Sequence, residues 1–347
     1  MKTLLLAAAT LVAASLLSAC QQDPQSATGP TLPLTPPGGG GTTTPAHPAI
    51  TYCSSVTSHG KTYSTVGVMD TDGTHQTNIY TGVQYESIGT PTWSPTGGSI
   101  TWSGRVYGSG DRIMAIDVSV NSSGVAVGSN LRTLVSWQTS DSVGVQSIRW
   151  CQQATTGKIA FALHHTNTVG AEFNVYDLCT VPAGGGTVTV VASRNPSRSG
   201  SLMLYNPTWS PDDSKIATYA SIFLNDTGSA QANSFVVFNA STGAVTDSIP
   251  VTLHTIWRSP WSHSGLNELV IPYPYGPIYY LTPTSGSTPA SSGLTGYHTT
   301  WSPNNSSVMF LSTPGAGGVL EKTVPNSTTA STVLSSFNGT NLDWRQN

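Results

Sequence analysis

Charge is what this chain has least of. Lys, Arg, Asp and Glu make up 8% of its 347 residues and nearly cancel, leaving a net charge of −3. A nucleic-acid backbone needs a basic stripe, and none is present, so nucleic acid is not expected as a partner. Glutamate occurs only at Glu86, Glu172, Glu268 and Glu321. The sequence has no His-Glu-x-x-His, no Gly-x-Ser-x-Gly and no Gly-x-x-x-x-Gly-Lys. Those absences remove the commonest zinc, serine-hydrolase and phosphate-loop chemistries. Asp70-Thr-Asp-Gly73 and Asp212-Asp213 lack the spacing of a twelve-residue calcium loop and read as turns. His164 and His165 are adjacent, so in a strand they point to opposite faces and cannot chelate together. The expectation is no metal and no cofactor.

Long apolar runs are also missing, apart from one at the start. Met1-Lys2 leads into Leu4 to Leu17 and then Leu17-Ser-Ala-Cys20. A basic start, a short apolar core and small residues before the cut describe an export signal, and the run falls short of the ~20 residues that span a bilayer. Its ending resembles a bacterial lipoprotein signal. That resemblance implies removal of 1–19, acylation of Cys20 and an outer-membrane or cell-surface location. Residues 20–48 are rich in Pro, Gly and Thr, cannot bury a core, and read as a disordered tether of about 30 Å mean span. Cys53, Cys151 and Cys179 remain. Cys151 and Cys179 fall at the same ends of two strands of one repeat, which makes them a candidate disulfide. Two strand spacings of ~9.5 Å argue for separate buried thiols instead.

What the chain has in quantity is one phrase, repeated. It reads Pro91-Thr-Trp-Ser-Pro95, Ser147-Ile-Arg-Trp150, Pro207-Thr-Trp-Ser-Pro-Asp212, Ser259-Pro-Trp-Ser262, Thr299-Thr-Trp-Ser-Pro303 and Leu342-Asp-Trp344. The tryptophans are 57, 59, 52, 40 and 43 residues apart. The shorter intervals match a four-stranded propeller blade, and the longer ones are a blade with an insertion. Within each unit strand A ends at the tryptophan, a polar turn follows, and strands B, C and D come after with Gly, Pro and Asn punctuation. Ile50-Thr-Tyr-Cys53, Val66–Asp70 and Thr77–Tyr80 supply strands B, C and D without an A. Asn341–Arg345 supplies an A with nothing after it. The two ends therefore complete one sheet, and six blades close into a ring over residues 49–347, which leaves no open sheet edge.

These repeats resemble those of TolB-type, WD40-like six-bladed propellers, whose unit reads roughly Pro-x-Trp-Ser-Pro-Asp-Gly. The resemblance implies an all-β fold and places no activity. The turn departs from the pattern in the third unit (Cys151-Gln-Gln) and the fifth (Ser262-His-Ser-Gly265).

Because strands alternate in direction, B–C and D–A connections share one face and A–B and C–D connections share the other. Most insertions read as loops on the first face: 103–111, 164–172, 193–206, 221–233 and 250–258. They carry Arg105, Tyr107, His164, Arg194, Arg198, Tyr205, His254 and Trp257, the Arg-plus-aromatic composition of interface hot spots. Three residues before each motif tryptophan stand Thr90, Ser147, Asn206, Arg258, His298 and Asn341. All are polar and begin an innermost strand, so they should ring the mouth of the central channel. The tryptophans themselves read as core. The function expected is a monomeric, lipid-anchored envelope propeller that binds a protein or polysaccharide without catalysis, touching membrane only through its anchor. The alternative is an enzyme acting on a sugar or lactone in the channel.

Overall fold

The computed structural model describes residues 48–138, 143–166, 174–193, 202–223, 231–253, 258–273, 276–313 and 317–346. The described residues form strands and turns arranged as six antiparallel sheets. Blade 1 pairs Thr340–Trp344 with Ile50–Ser58, then Lys61–Met69 and Thr77–Thr81. The two ends of the chain thus share a sheet, with Ile50 opposite Trp344 and Thr51 opposite Asp343. Arg345 N–H donates to the Ala49 carbonyl at 2.7 Å and extends the pairing by one residue.

Blades 3, 4 and 6 run A to D as read from the sequence. Their innermost strands are Val143–Trp150, Leu202–Trp209 and Tyr297–Trp301. Two inner strands differ. In blade 2 strand A is broken into Glu86–Ile88 and Thr92–Trp93, both paired with Ser99–Val106. In blade 5 it shrinks to one bridge between Trp261 and Leu269, beside a three-stranded sheet. Pro260 precedes that bridge, and a proline has no N–H to give a ladder.

The expected B–C loops are also different from their reading. Residues 103–111 continue as strands Ser99–Val106 and Gly110–Val120, and blades 3 and 4 reach Thr166 and Phe223 before turning. Within the described residues these stretches lengthen paired strands.

The core lies in wedges between neighbouring sheets. Ile50 and Met69 of blade 1 pack on Tyr297, Met309 and Leu311 of blade 6. Val66 and Val68 pack on Trp93, Trp102 and Met114 of blade 2. Further clusters join blades 2, 3 and 4, blades 4 and 5, and blades 5 and 6. All six motif tryptophans are buried. Several also latch one blade to the one before it. The indole N–H of Trp150 donates to Thr101 Oγ1, that of Trp209 to the Arg149 carbonyl, and that of Trp301 to the Pro260 carbonyl. Burial and a satisfied N–H are what a structural tryptophan needs.

Cys151 and Cys179 do not form a disulfide. The reason is register. Cys151 pairs with Lys158, which lies opposite Pro182, whereas Cys179 lies opposite Phe161. The two thiols are therefore three residues apart along the strand as well as two strands apart across the sheet. Burial pushes Cys151 up to about 11 and Cys179 to about 12.

Candidate functional site

Side chains from alternate blades meet at the axis of the ring, beside an opening of about 310 Å³ lined by Gln152, His263 and Gln346. Asp343 of blade 1 is buried and lies between two arginines. Arg149 of blade 3 forms an ion pair with its Oδ1, and Arg258 of blade 5 approaches the same oxygen at 3.1 Å. Asp343 Oδ2 accepts the backbone N–H of Trp93 at 2.7 Å. Arg258 also donates to the Leu342 carbonyl at 2.9 Å. Next along the axis, Gln152 of blade 3 donates to the carbonyls of Trp209 and Ser262 and meets His263 Nδ1 at 2.9 Å. Burial, then the nearby Arg149 charge, holds His263 down to about 4.

This grouping has a sequence signature. In blades 2, 4 and 6 the motif is intact: Thr92-Trp-Ser-Pro95, Thr208-Trp-Ser-Pro211 and Thr300-Trp-Ser-Pro303. In blades 1, 3 and 5 the residue before the tryptophan is Asp343, Arg149 or Pro260, and the second residue after it is Gln346, Gln152 or His263. The even blades carry the structural version: Thr208 and Thr300 accept the backbone N–H of Trp261 and Trp344 in the following blade. The odd blades send the polar groups across the axis. The departures that look like motif decay in blades 3 and 5 are residues that meet at the centre.

Four of the six positions three before a tryptophan share one level of the inner strand, for a reason that polarity alone does not supply. Ser147, Asn206, His298 and Asn341 have φ of 46°, 51°, 52° and 55°. At each, the inner strand carries one extra residue relative to its partner strand. A bulge in the left-handed region favours Asn and disfavours branched side chains. Neighbours pair round the level: Ser147 donates to Asn206 Oδ1, and His298 bonds Asn341. Burial lowers His298 to about 3. Thr90 lies in the break of the blade 2 inner strand. Arg258 is 9% exposed and committed to Asp343 and to the Leu342 carbonyl.

The face bearing the B–C hairpins is uneven. Strand B has 9, 8, 9 and 9 residues in blades 1 to 4 but 4 in blades 5 and 6. At about 3.3 Å per residue, the difference raises one side of the face by roughly 15 Å. On the raised side Arg105 Nε lies 3.3 Å from Asp111. Asp111 accepts the Val145 N–H at 2.8 Å, and burial raises its carboxyl above the usual range. His164 stacks on Tyr176 at 4.8 Å between ring centres, Tyr176 on Tyr205 at 4.9 Å, and Tyr205 on Tyr219 at 6.3 Å. The structure therefore brings Arg105, His164 and Tyr205 onto one strip across blades 2 to 4, anchored on Asp111 and Tyr176. Those two were missed in the sequence because each sits inside a strand with no motif around it. Tyr107 stands at a hairpin tip, 77% exposed. Arg194, Arg198, His254, Trp257 and the lipidation candidate Cys20 lie outside the described residues. Among the described residues no group of three His, Cys, Asp or Glu side chains is placed to hold a metal ion.

No protein-family model and no curated protein matches this sequence. Solved structures do. TolB from Acinetobacter baumannii is similar over 86% of this chain at 16% identity, with a TM-score of 0.51. The chain spans 66% of that protein's length. A protein from Lactobacillus plantarum is similar over 86% of this chain and 99% of its own, at 10% identity and a TM-score of 0.50. At these identities the likeness shows a shared propeller fold.

Proposed function

We propose that this chain is a lipid-anchored cell-envelope propeller that binds a protein or an envelope polymer through its hairpin face and carries out no catalysis. The observation that supports this most is the one-sided wall of long hairpins over blades 1 to 4, lined by the Arg105–Asp111–His164–Tyr176–Tyr205 strip. A wall beside a low floor is a groove for an extended partner, and loops and hairpin ends on a rigid scaffold are the usual place for binding. Residues crossing the axis from blades 1, 3 and 5 narrow the centre, where the alternative reading would put a sugar or lactone substrate, to an opening of about 310 Å³ beside Gln152 and His263. The export signal ending at Cys20 supports the anchor, and the TolB likeness fits an envelope setting.

The test is retention of envelope material by the purified, immobilised protein. Replacing 224–230 with a two-residue turn shortens the blade 4 hairpin and leaves the ring intact. Loss of the retained partner in that variant is the expected result. Unchanged retention counts against this face. Radiolabelled palmitate incorporation that disappears in Cys20→Ala checks the anchor separately.

A further inference from the structure

A second feature of the hairpin face is a cleft of about 310 Å³ at the end of blade 2, lined by Ser109, Asp111, Arg112, Thr133, Ser136 and Trp137. That volume is at the small end of ligand sites. Its floor is a carboxylate with spare capacity. Asp111 is 5% exposed; its Oδ2 takes the Val145 N–H, while Oδ1 is buried and makes no hydrogen bond. Such an oxygen costs free energy unless something donates to it. Arg105 approaches it at 3.3 Å but is itself largely solvent-exposed. The charges around the cleft cancel, because Arg112 is bonded to the fully buried Glu86 at 2.8 Å and Arg105 faces Asp111. An ionic ligand has no net field to find. An uncharged one with hydroxyl donors does have partners: a carboxylate oxygen held only by the exposed Arg105, the hydroxyls of Ser109 and Ser136 at the rim, and the indole of Trp137 as an apolar wall. Tyr107 and Tyr85 stand on the same hairpin end with ring centres 6.5 Å apart, both exposed.

We propose that this cleft binds one uncharged pyranose unit of a glycan, with a ring hydroxyl taking the place of the exposed Arg105 at Asp111 Oδ1 and a C–H face of the sugar against Trp137. The proposal deepens the reading of the hairpin face as a binding surface and names its ligand as carbohydrate. It is read out separately, by direct sugar binding, so that loss of the retained envelope partner and loss of this site are distinguishable.

The experiment is calorimetric titration of the purified full chain with cellotriose, maltotriose and tri-N-acetylchitotriose. At least one should bind saturably. Asp111→Asn should weaken that binding about tenfold or more, the size expected for a hydrogen bond to a charged acceptor. Ser136→Trp, at an exposed position, should fill the cleft and abolish binding with the melting temperature unchanged. Free glucose and N-acetylglucosamine, tested alongside, tell a polymer site from a monosaccharide site. Failure of all three oligosaccharides and both monosaccharides to bind, or binding unaffected by either substitution, overturns the proposal.

Discussion

Asp343 shows how one residue can hold a ring together. Its carboxylate joins blades 1, 3 and 5 and also caps the Trp93 N–H of blade 2. Removing one member of a buried ion network leaves uncompensated charge, here two arginines, and typically costs about 3–5 kcal/mol. Asp343→Ala should therefore lower unfolding free energy by about that much in urea denaturation. Asp343→Asn, which keeps an acceptor for Trp93, should also destabilise but by less. The axial histidines give a pH prediction with a definite sign. His263 and His298 are held to about 4 and about 3, below the 6.5 of an unfolded histidine. Below pH 6.5 the unfolded chain binds protons that the native state refuses, so stability falls as pH drops from 6.5 toward 4, by up to about 1.4 kcal/mol per pH unit for each histidine. His263→Gln should flatten part of that slope in melts recorded between pH 7 and 4. An unchanged slope would mean that His263 is not buried as a neutral group.

Among the elements, the inner strands were the most legible and the most instructive where they were not. The tryptophan phrase marks the end of strand A in every blade because packing between sheets demands the same large side chain at the same place. The bulge three residues earlier was invisible, since it is a property of backbone conformation and three residue types, Ser, Asn and His, occupy its four positions with φ near 50°. Asn206→Val should cost about 1–3 kcal/mol, the usual size for a branched residue forced into that region, whereas Asn206→Gly should cost less; paired chemical denaturation curves decide it. The stretch 103–111 reads as loop from its Gly and Ser content, yet backbone pairing continues to Val106 opposite Gly110, because ladder hydrogen bonds do not depend on which side chains are present. The Cys151–Cys179 pairing failed for a similar reason: strand ends can be guessed from turns, but a three-residue register offset cannot.

At the scale of the molecule the six-blade count and the closure by the chain ends were both readable, because spacing and the missing strand A gave two independent counts. The candidate site was only partly readable. Side chains that reach two blades away, such as Arg149 to Asp343, leave no trace in local spacing beyond a charged residue where its counterparts have threonine. Deleting 341–347 removes the strand that closes blade 1 and takes Asp343 with it. Cooperative unfolding should be lost, with exposed-hydrophobe dye binding at room temperature; a truncated chain that melts like the intact one would refute closure as the source of stability.

Closure also sets a direction. Strand B of blade 1 starts at Ile50, on the side of the wheel where A–B turns emerge, and the long hairpins rise from the other side. Pro48, where the described chain begins, therefore lies at the back of the disc. The anchor proposed above would thus join the disc on the side opposite the cleft beside Tyr107, which leaves the walled surface clear of the attachment point.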